Sequence, residues 1–275
     1  MIASLVAEVV QTQPGPDDLE AIVAHLEPRP GSSAPDRLVV FPELALTGFP
    51  VGGEVAVHRV GESAALAAIE GAVRRGGGYA VLGFAEENAG DRPYNSAALF
   101  GPDGLVGVAR KQHLPGLEKG WFTPGGEPTV FATPAAAIGV TICYDAWFPE
   151  YVKAQALAGA EIIVNINSIW AGGREGGIGD GPVKRRYWAT IPTARALDTQ
   201  TYVLACNGYG THDFGEPVGS WRRLGRSRIV DPLGRRLAEG PADEPAVLTA
   251  VLTDRTLRRA RGGIALLADS RKEIQ

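Results

Sequence analysis

Three residues able to share one reaction occupy comparable places in the chain: Glu43 in VVFPELALTGF, Lys111 in VARKQHLPG and Cys143 in GVTICYDAWFPE. Each ends or follows a run whose composition predicts a strand. A thiol is a weak nucleophile until it loses its proton. A carboxylate that takes the proton, and a cation that offsets negative charge on the attacked group, would complete a nucleophilic centre. Taken singly, each residue has a bland reading. Cys143 alone is an inert buried thiol, Lys111 beside Arg110 a surface cation, and Glu43 a solvated or capping carboxylate. What links them is position, because α/β sheets build sites outside the carboxyl ends of their strands, where residues remote in sequence meet.

The elements that must position them can be read along the chain. Ile2 to Val10 predicts a buried strand, Asp18 to Leu26 a helix and Leu38 to Phe41 a second strand ending just before Glu43. Ser63 to Arg75 has Leu66, Ile69 and Val73 on one side, an amphipathic helix ended by Gly76 to Gly78 before the strand Tyr79 to Phe84. SAALFGPDGLVGVAR reads as two strands joined at Pro102, Asp103 and Gly104, so a hairpin leads to Lys111. Ile138 to Ile142 predicts the strand ending at Cys143, and Pro149 opens a helix to about Ala158 whose N-terminal dipole would lower the thiol pKa modestly. Further strands are expected at Ile162 to Ile166, Tyr202 to Ala205, Ser227 to Val230 and Val247 to Val251, with a helix from Arg186 to Asp198. No repeat or linker divides residues 1–275, so one domain is expected. Alternating strands and helices with a hairpin insert favour a layered α/β sandwich.

Composition excludes several classes. The 275 residues are 45% hydrophobic and 21% charged, with net charge −4 and mean hydropathy near zero, as in a globular protein rather than a disordered one. Arginines gather late in the chain (Arg222, Arg223, Arg226, Arg228, Arg235, Arg236, then Arg255, Arg258, Arg259 and Arg261) but acidic residues interleave. They read as a solvated or subunit-facing surface, and no nucleic-acid partner is expected. No apolar run approaches the ~20 residues of a membrane span, and MIASLVAEVVQ lacks a basic leader. Two cysteines, Cys143 and Cys206, make no disulfide framework, so a reducing cytoplasm is the expected setting.

FPELALTGF, RKQHLP and GVTICYDAWFPE, in that order, resemble the three signatures of the nitrilase superfamily, the carbon–nitrogen hydrolases. LEKGWFTPG, YWATIPTARALDTQTYVLACNGYG and SRIVDPLGRRLAEG extend the resemblance over nearly the whole chain. It implies a four-layer α-β-β-α sandwich and a Glu43, Lys111, Cys143 triad. Glu43 would be the general base and Lys111 the stabiliser of the tetrahedral intermediate, on the way to an acyl thioester at Cys143. Glu118 matches a further active-site carboxylate that orients the lysine or the substrate. No cofactor or metal is implied, and homodimers or larger homo-oligomers are, with the helix after Cys143 at one interface. His113 is given a packing or hydrogen-bonding role rather than that of a catalytic imidazole.

The resemblance also directs attention to specificity. Tyr144, Trp147, Asn167 and Trp170 are candidate substrate-binding residues, Trp170 foremost. Members that bind a substrate carboxylate often carry arginines shortly after the cysteine. Ala146 and Trp147 stand there instead, which points away from an anionic α-carboxylate contact. AGGREGGIGDG, between Gly172 and Gly181, reads as a glycine-rich flap or an ordinary loop, and Asp198 and Thr199 depart from the common pattern. A small amide or N-carbamoyl amine is the expected substrate. A nitrile, or acyl transfer to an amine, would use the same triad, and a binding protein that merely keeps the fold is disfavoured by the intact residues.

Overall fold

The computed structural model describes Ile2 and residues 4–16, 18–28, 37–172 and 181–270. Two six-stranded sheets form its centre. In the first, β1 (Leu5–Gln11), β2 (Arg37–Val40) and β3 (Tyr79–Glu86) run parallel, and β4 (Tyr94–Gly101) and β5 (Gly104–Arg110) follow as the expected hairpin. The second is built on parallel β7 (Ala137–Ile142), β8 (Ile162–Asn167) and β10 (Tyr202–Asn207), flanked by antiparallel β6 (Thr129–Ala132) and by β13 (Arg228–Val230) with β14 (Arg236–Glu239). The last strand, β15 (Ala246–Leu252), returns to pair antiparallel with β1, so the chain's end closes the first sheet.

The sheets face each other across an apolar core containing Val9, Leu38, Val81 and Leu99 of the first and Ile138, Val164, Leu204 and Ile229 of the second. Helices α1 (Leu19–Leu26) and α2 (Ala64–Gly76) cover the outer face of the first sheet, where Ile22, Leu66, Ile69 and Val73 meet Val39, Leu82 and Phe100. Helices α4 (Pro149–Leu157) and α5 (Gly181–Thr199) cover the second. The result is the α-β-β-α sandwich in one domain. All eight residues of β3 are buried, as befits a strand covered on both faces. Ser63 caps α2, its hydroxyl accepting from Leu66 N–H, and Gly77 ends it with φ +71°, a backbone region that glycine tolerates at little cost.

Several boundaries differ from the sequence reading. β1 begins at Leu5 rather than Ile2, and α5 begins at Gly181, a turn earlier than expected. A third sheet of β9 (Trp170–Gly172), β11 (Thr211–Asp213) and β12 (Ser220–Arg223) was not anticipated. Its strands are three or four residues long, too short to show a period of two. The short helices α3 (Glu118–Trp121) and α6 (Asp254–Gly263) were also missed. The late arginines divide. Arg222, Arg235 and Arg258 pair with Asp243, Asp231 and Asp254 at the surface, whereas Arg223 and Arg228 are each 1% exposed, which corrects the reading of that cluster as wholly solvated or subunit-facing. Among the described residues no helix is long and apolar enough to cross a membrane. Most of the glycine-rich stretch between Gly172 and Gly181 lies outside the described residues.

Candidate active site

The two sheets bring their strand ends together at one edge. Glu43 follows β2, Lys111 follows β5, and Cys143 follows β7 in a 3₁₀ turn over Cys143–Trp147. Glu43 and Lys111 are fully buried, and Cys143 is 7% exposed. Lys111 Nζ donates to Glu43 Oε1 and to Glu118 Oε2, both at 2.6 Å. Asn95 at the start of β4 donates from Nδ2 to the same Glu43 oxygen at 2.8 Å, and its carbonyl accepts the Lys111 backbone N–H. Glu43 is thus held by one oxygen, while Oε2 is buried and accepts no hydrogen bond.

Close backbone approach makes room for this arrangement. Leu44 takes φ +50°, and Leu46 N–H bonds to Gly83 O on β3. A Cβ on Gly83 would stand 2.4 Å from Leu44 N and 2.8 Å from Glu43 Cα, so glycine is required there by space alone. Cys143 itself has φ +51°, a conformation that costs a non-glycine residue on the order of 1–3 kcal/mol and persists only where neighbours enforce it. Asp145, 1% exposed, is the enforcing neighbour. Its carboxylate accepts from Ile142 N–H before the turn and from Gln112 and His113 N–H after Lys111. One buried side chain therefore ties the cysteine turn to the lysine loop. His113 Nδ1 bonds to Asp145 Oδ1 at 2.8 Å and the imidazole stacks on Phe148, a structural placement as expected.

The charges are strongly coupled. Burial pushes the Cys143 thiol well above its ordinary pKa, the Glu43 charge adds to the rise, and Lys111 opposes it. This direction overrides the modest lowering expected from the N-terminus of α4, which the 3₁₀ turn separates from the sulfur. Burial alone would lower the Lys111 ammonium, but the carboxylates of Glu118 and Glu43 outweigh it and hold the lysine above its usual value. Glu118 is raised, chiefly by burial, with Lys111 opposing. The second thiol, Cys206, points between the sheets, where Sγ donates to the carbonyls of Val10 and Val40 at 3.4 Å.

The substrate-binding candidates separate. Trp170 is 5% exposed and, with Glu118, Phe49, Trp121, Phe214 and Trp221, lines a cavity of about 20 Å³, room for little more than a water. Its ring meets Phe49 edge-on, with centroids 5.1 Å apart. Trp147 stacks on Tyr187 of α5 at 4.6 Å, and Tyr144 packs against Trp147 and Phe148, so these rings build the seam between the cysteine turn and α5. Asn167 gives its amide hydrogens to the carbonyls of Asn165 and Cys206 and braces the end of β8, which leaves it no side-chain donor for a substrate. Asn95, Asp145 and Gly83 were not singled out in the sequence. Asp145 had a signal in its place two residues after the cysteine, whereas Asn95 sits inside an ordinary strand.

Comparison with known proteins agrees with this geometry. An (R)-stereoselective amidase from Pseudomonas sp is 35% identical over 236 residues, covering 85% of this chain and 79% of that protein. A citrullinase from Francisella tularensis is 34% identical over 194 residues, covering 68% of this chain and 66% of that protein. An N-carbamoylputrescine amidase from Solanum tuberosum is 32% identical over 196 residues, 68% of this chain and 64% of that protein. For these last two, the chain matches slightly less than two thirds of the relative's length. In fold, a carbon-nitrogen hydrolase from Helicobacter pylori matches with TM-score 0.79 at 24% identity, over 98% of this chain and 96% of that one. A nitrilase-superfamily protein from Saccharomyces cerevisiae matches with TM-score 0.75 at 20% identity, over 98% and 97%. The carbon-nitrogen hydrolase family model matches residues 9–261, and the chain belongs to the carbon–nitrogen hydrolase family.

Proposed function

We propose that the chain hydrolyses the carbon–nitrogen bond of a small amide or N-carbamoyl amine through a thioester at Cys143. The observation that carries this reading is the division of labour at Glu43. Oε1 is fixed by Lys111 and Asn95 while Oε2, buried and without a hydrogen bond, is left to act as base. A thiol held protonated by its surroundings needs such a base at the moment of attack.

In this mechanism Glu43 Oε2 takes the proton from Cys143 Sγ as sulfur attacks the carbonyl carbon. The oxyanion that forms is stabilised by Lys111 Nζ and by a backbone N–H of the cysteine turn. Collapse breaks the carbon–nitrogen bond, and Glu43 returns its proton to the departing nitrogen, which leaves as ammonia or an amine. Water, deprotonated by the same carboxylate, then attacks the thioester. Sulfur leaves as thiolate and recovers the proton, and the acyl group departs as the acid. Glu118 positions Lys111. Relatives named as amidases, a citrullinase and N-carbamoylputrescine amidases support amide and carbamoyl substrates over nitriles.

A reducing compartment suits a free-thiol nucleophile. A homo-oligomer would cover the apolar side chains of Val183, Tyr187 and Leu197, all more than 40% exposed on α5. Ammonia release across a panel of amides, carbamoyl amines and nitriles tests the reaction. Turnover of the first two by the parent and none by Cys143→Ala is the expected result, with carbon dioxide only from carbamoyl substrates. Equal release by both proteins would overturn it.

A further inference from the structure

Four cations are buried among the described residues: Lys111, Lys184, Arg223 and Arg228. Lys111 lies between Glu43 and Glu118. Arg228 donates to the carbonyls of Arg226 and Ala189 and faces Glu239. Lys184 and Arg223 are different. Lys184 is 7% exposed, yet its ammonium has no hydrogen bond or ion pair among the described residues. All three guanidinium nitrogens of Arg223 are buried without a hydrogen-bond partner.

Both belong to one wall of the site. Arg223 pairs in register with Trp170 across β12 and β9, and its guanidinium carbon lies 4.1 Å over the Trp170 ring. Alternation along β12 puts Trp221 on the same face as Arg223 and sends Arg222 to the other, where it meets Asp243. Lys184 Nζ lies 6.0 Å from the centre of the Trp221 ring. Trp170 and Trp221 line the cavity beside Glu118, so a cation stands at each end of its aromatic wall. Lys184 is also within electrostatic reach of the nucleophile. Burial lowers its pKa to about 8, and the charge of Cys143 opposes that fall.

Burying a charge without a partner costs several kcal/mol, and a chain of net charge −4 has carboxylates enough to neutralise two more cations. That none is placed at hydrogen-bond distance here points to a counter-charge arriving with the ligand. We propose that Lys184 recognises a carboxylate on the substrate, so that the amide or carbamoyl group cleaved at Cys143 belongs to an anionic molecule, with Arg223 adding positive potential behind Trp170. This rests on the proposed hydrolysis and narrows its substrate class. It also corrects the expectation drawn from Ala146 and Trp147, because the cation comes from α5 rather than from the cysteine turn.

Succinamate and its neutral isostere succinamide separate carboxylate recognition from chemistry. In Lys184→Gln, kcat/KM for succinamate should fall about 10- to 100-fold, the range of one lost hydrogen bond to a charged group. The loss should lie in KM, Lys184→Arg should recover most of it, and succinamide should change less than threefold. An equal fall in kcat for both amides would place Lys184 on the thiol instead and overturn the assignment, as would an unchanged KM for succinamate. A second arm needs no turnover: calorimetric binding of succinamate to Cys143→Ala should weaken at least tenfold when Lys184→Gln is added. If that weakening appears while the parent releases no ammonia from any amide, the hydrolytic reading fails and the anion site stands. If binding is absent or unaltered by the substitution, the anion site fails. Thermal unfolding at or above that of the parent shows that the variant folds.

Discussion

Adding a single methyl group at Gly83 should disable the site from behind. The Cβ of Gly83→Ala would lie 2.4 Å from Leu44 N, 2.7 Å from Pro42 O and 2.8 Å from Glu43 Cα. All three are backbone atoms, so no side-chain rotation relieves the clash. To restore ordinary contact, the segment carrying Glu43 must withdraw by about 1 Å, and β3, buried on both faces, cannot yield in compensation. The 2.6 Å bond from Lys111 to Glu43 and the 2.8 Å bond from Asn95 would then pass beyond hydrogen-bond range. A displacement of this size costs about 10²-fold in rate, and overpacking costs about 1–3 kcal/mol of stability. Steady-state ammonia release, with urea unfolding in parallel, measures both. A folded Gly83→Ala protein whose kcat stays within threefold of the parent would refute the requirement for this backbone approach in holding Glu43.

Glu118→Gln should lower kcat about 10- to 100-fold, the range for a hydrogen bond to a charged group, with KM little changed, because the amide accepts from Lys111 without its charge; a change confined to KM would assign Glu118 to substrate binding. Asp145→Asn sets an amide NH₂ against backbone N–H donors and should reduce unfolding free energy by about 1–3 kcal/mol, read by urea denaturation; unchanged stability would contradict the clamp. The thiol pH dependence follows from its raised pKa: the neutral form persists through the range in which ordinary thiols ionise, and thiolate gains only as pH climbs further. In a Cys206→Ala background, the rate of Cys143 reaction with methyl methanethiosulfonate should therefore still be rising above pH 9, the ordinary thiol value, whereas a plateau below it would contradict the direction. Cys206→Ala itself should keep kcat within twofold in the ammonia assay, since that sulfur lies between the sheets.

Much of the sandwich was legible because its strands and helices are long enough to show their periods. Leu66, Ile69 and Val73 marked the buried face of α2, and the Pro102 to Gly104 turn marked the hairpin that delivers Lys111. The third sheet escaped because three-residue strands have no period, yet it places Trp221 and Arg223 beside Trp170. At the site, residue type and strand-end position pointed to Glu43, Lys111 and Cys143, but their supports depend on partners distant in the chain. Asn95 matters through Glu43, 52 positions away, and Asp145 through the backbone that follows Lys111. Burial separated Arg223 from its surface neighbours, and nothing in the local pattern of the late arginines distinguishes it. Asn167 shows the converse, a residue well placed in sequence whose amide is occupied by backbone carbonyls.

The central claim is that acyl transfer passes through the sulfur of Cys143, and intact-mass spectrometry of the chain quenched during turnover tests it most directly. The account predicts an adduct of the substrate's acyl mass that hydroxylamine removes, located on the peptide containing Cys143, retained in Cys206→Ala and absent from Cys143→Ala. Ammonia release with no adduct at any quench time, together with unimpaired turnover by Cys143→Ala, would contradict it.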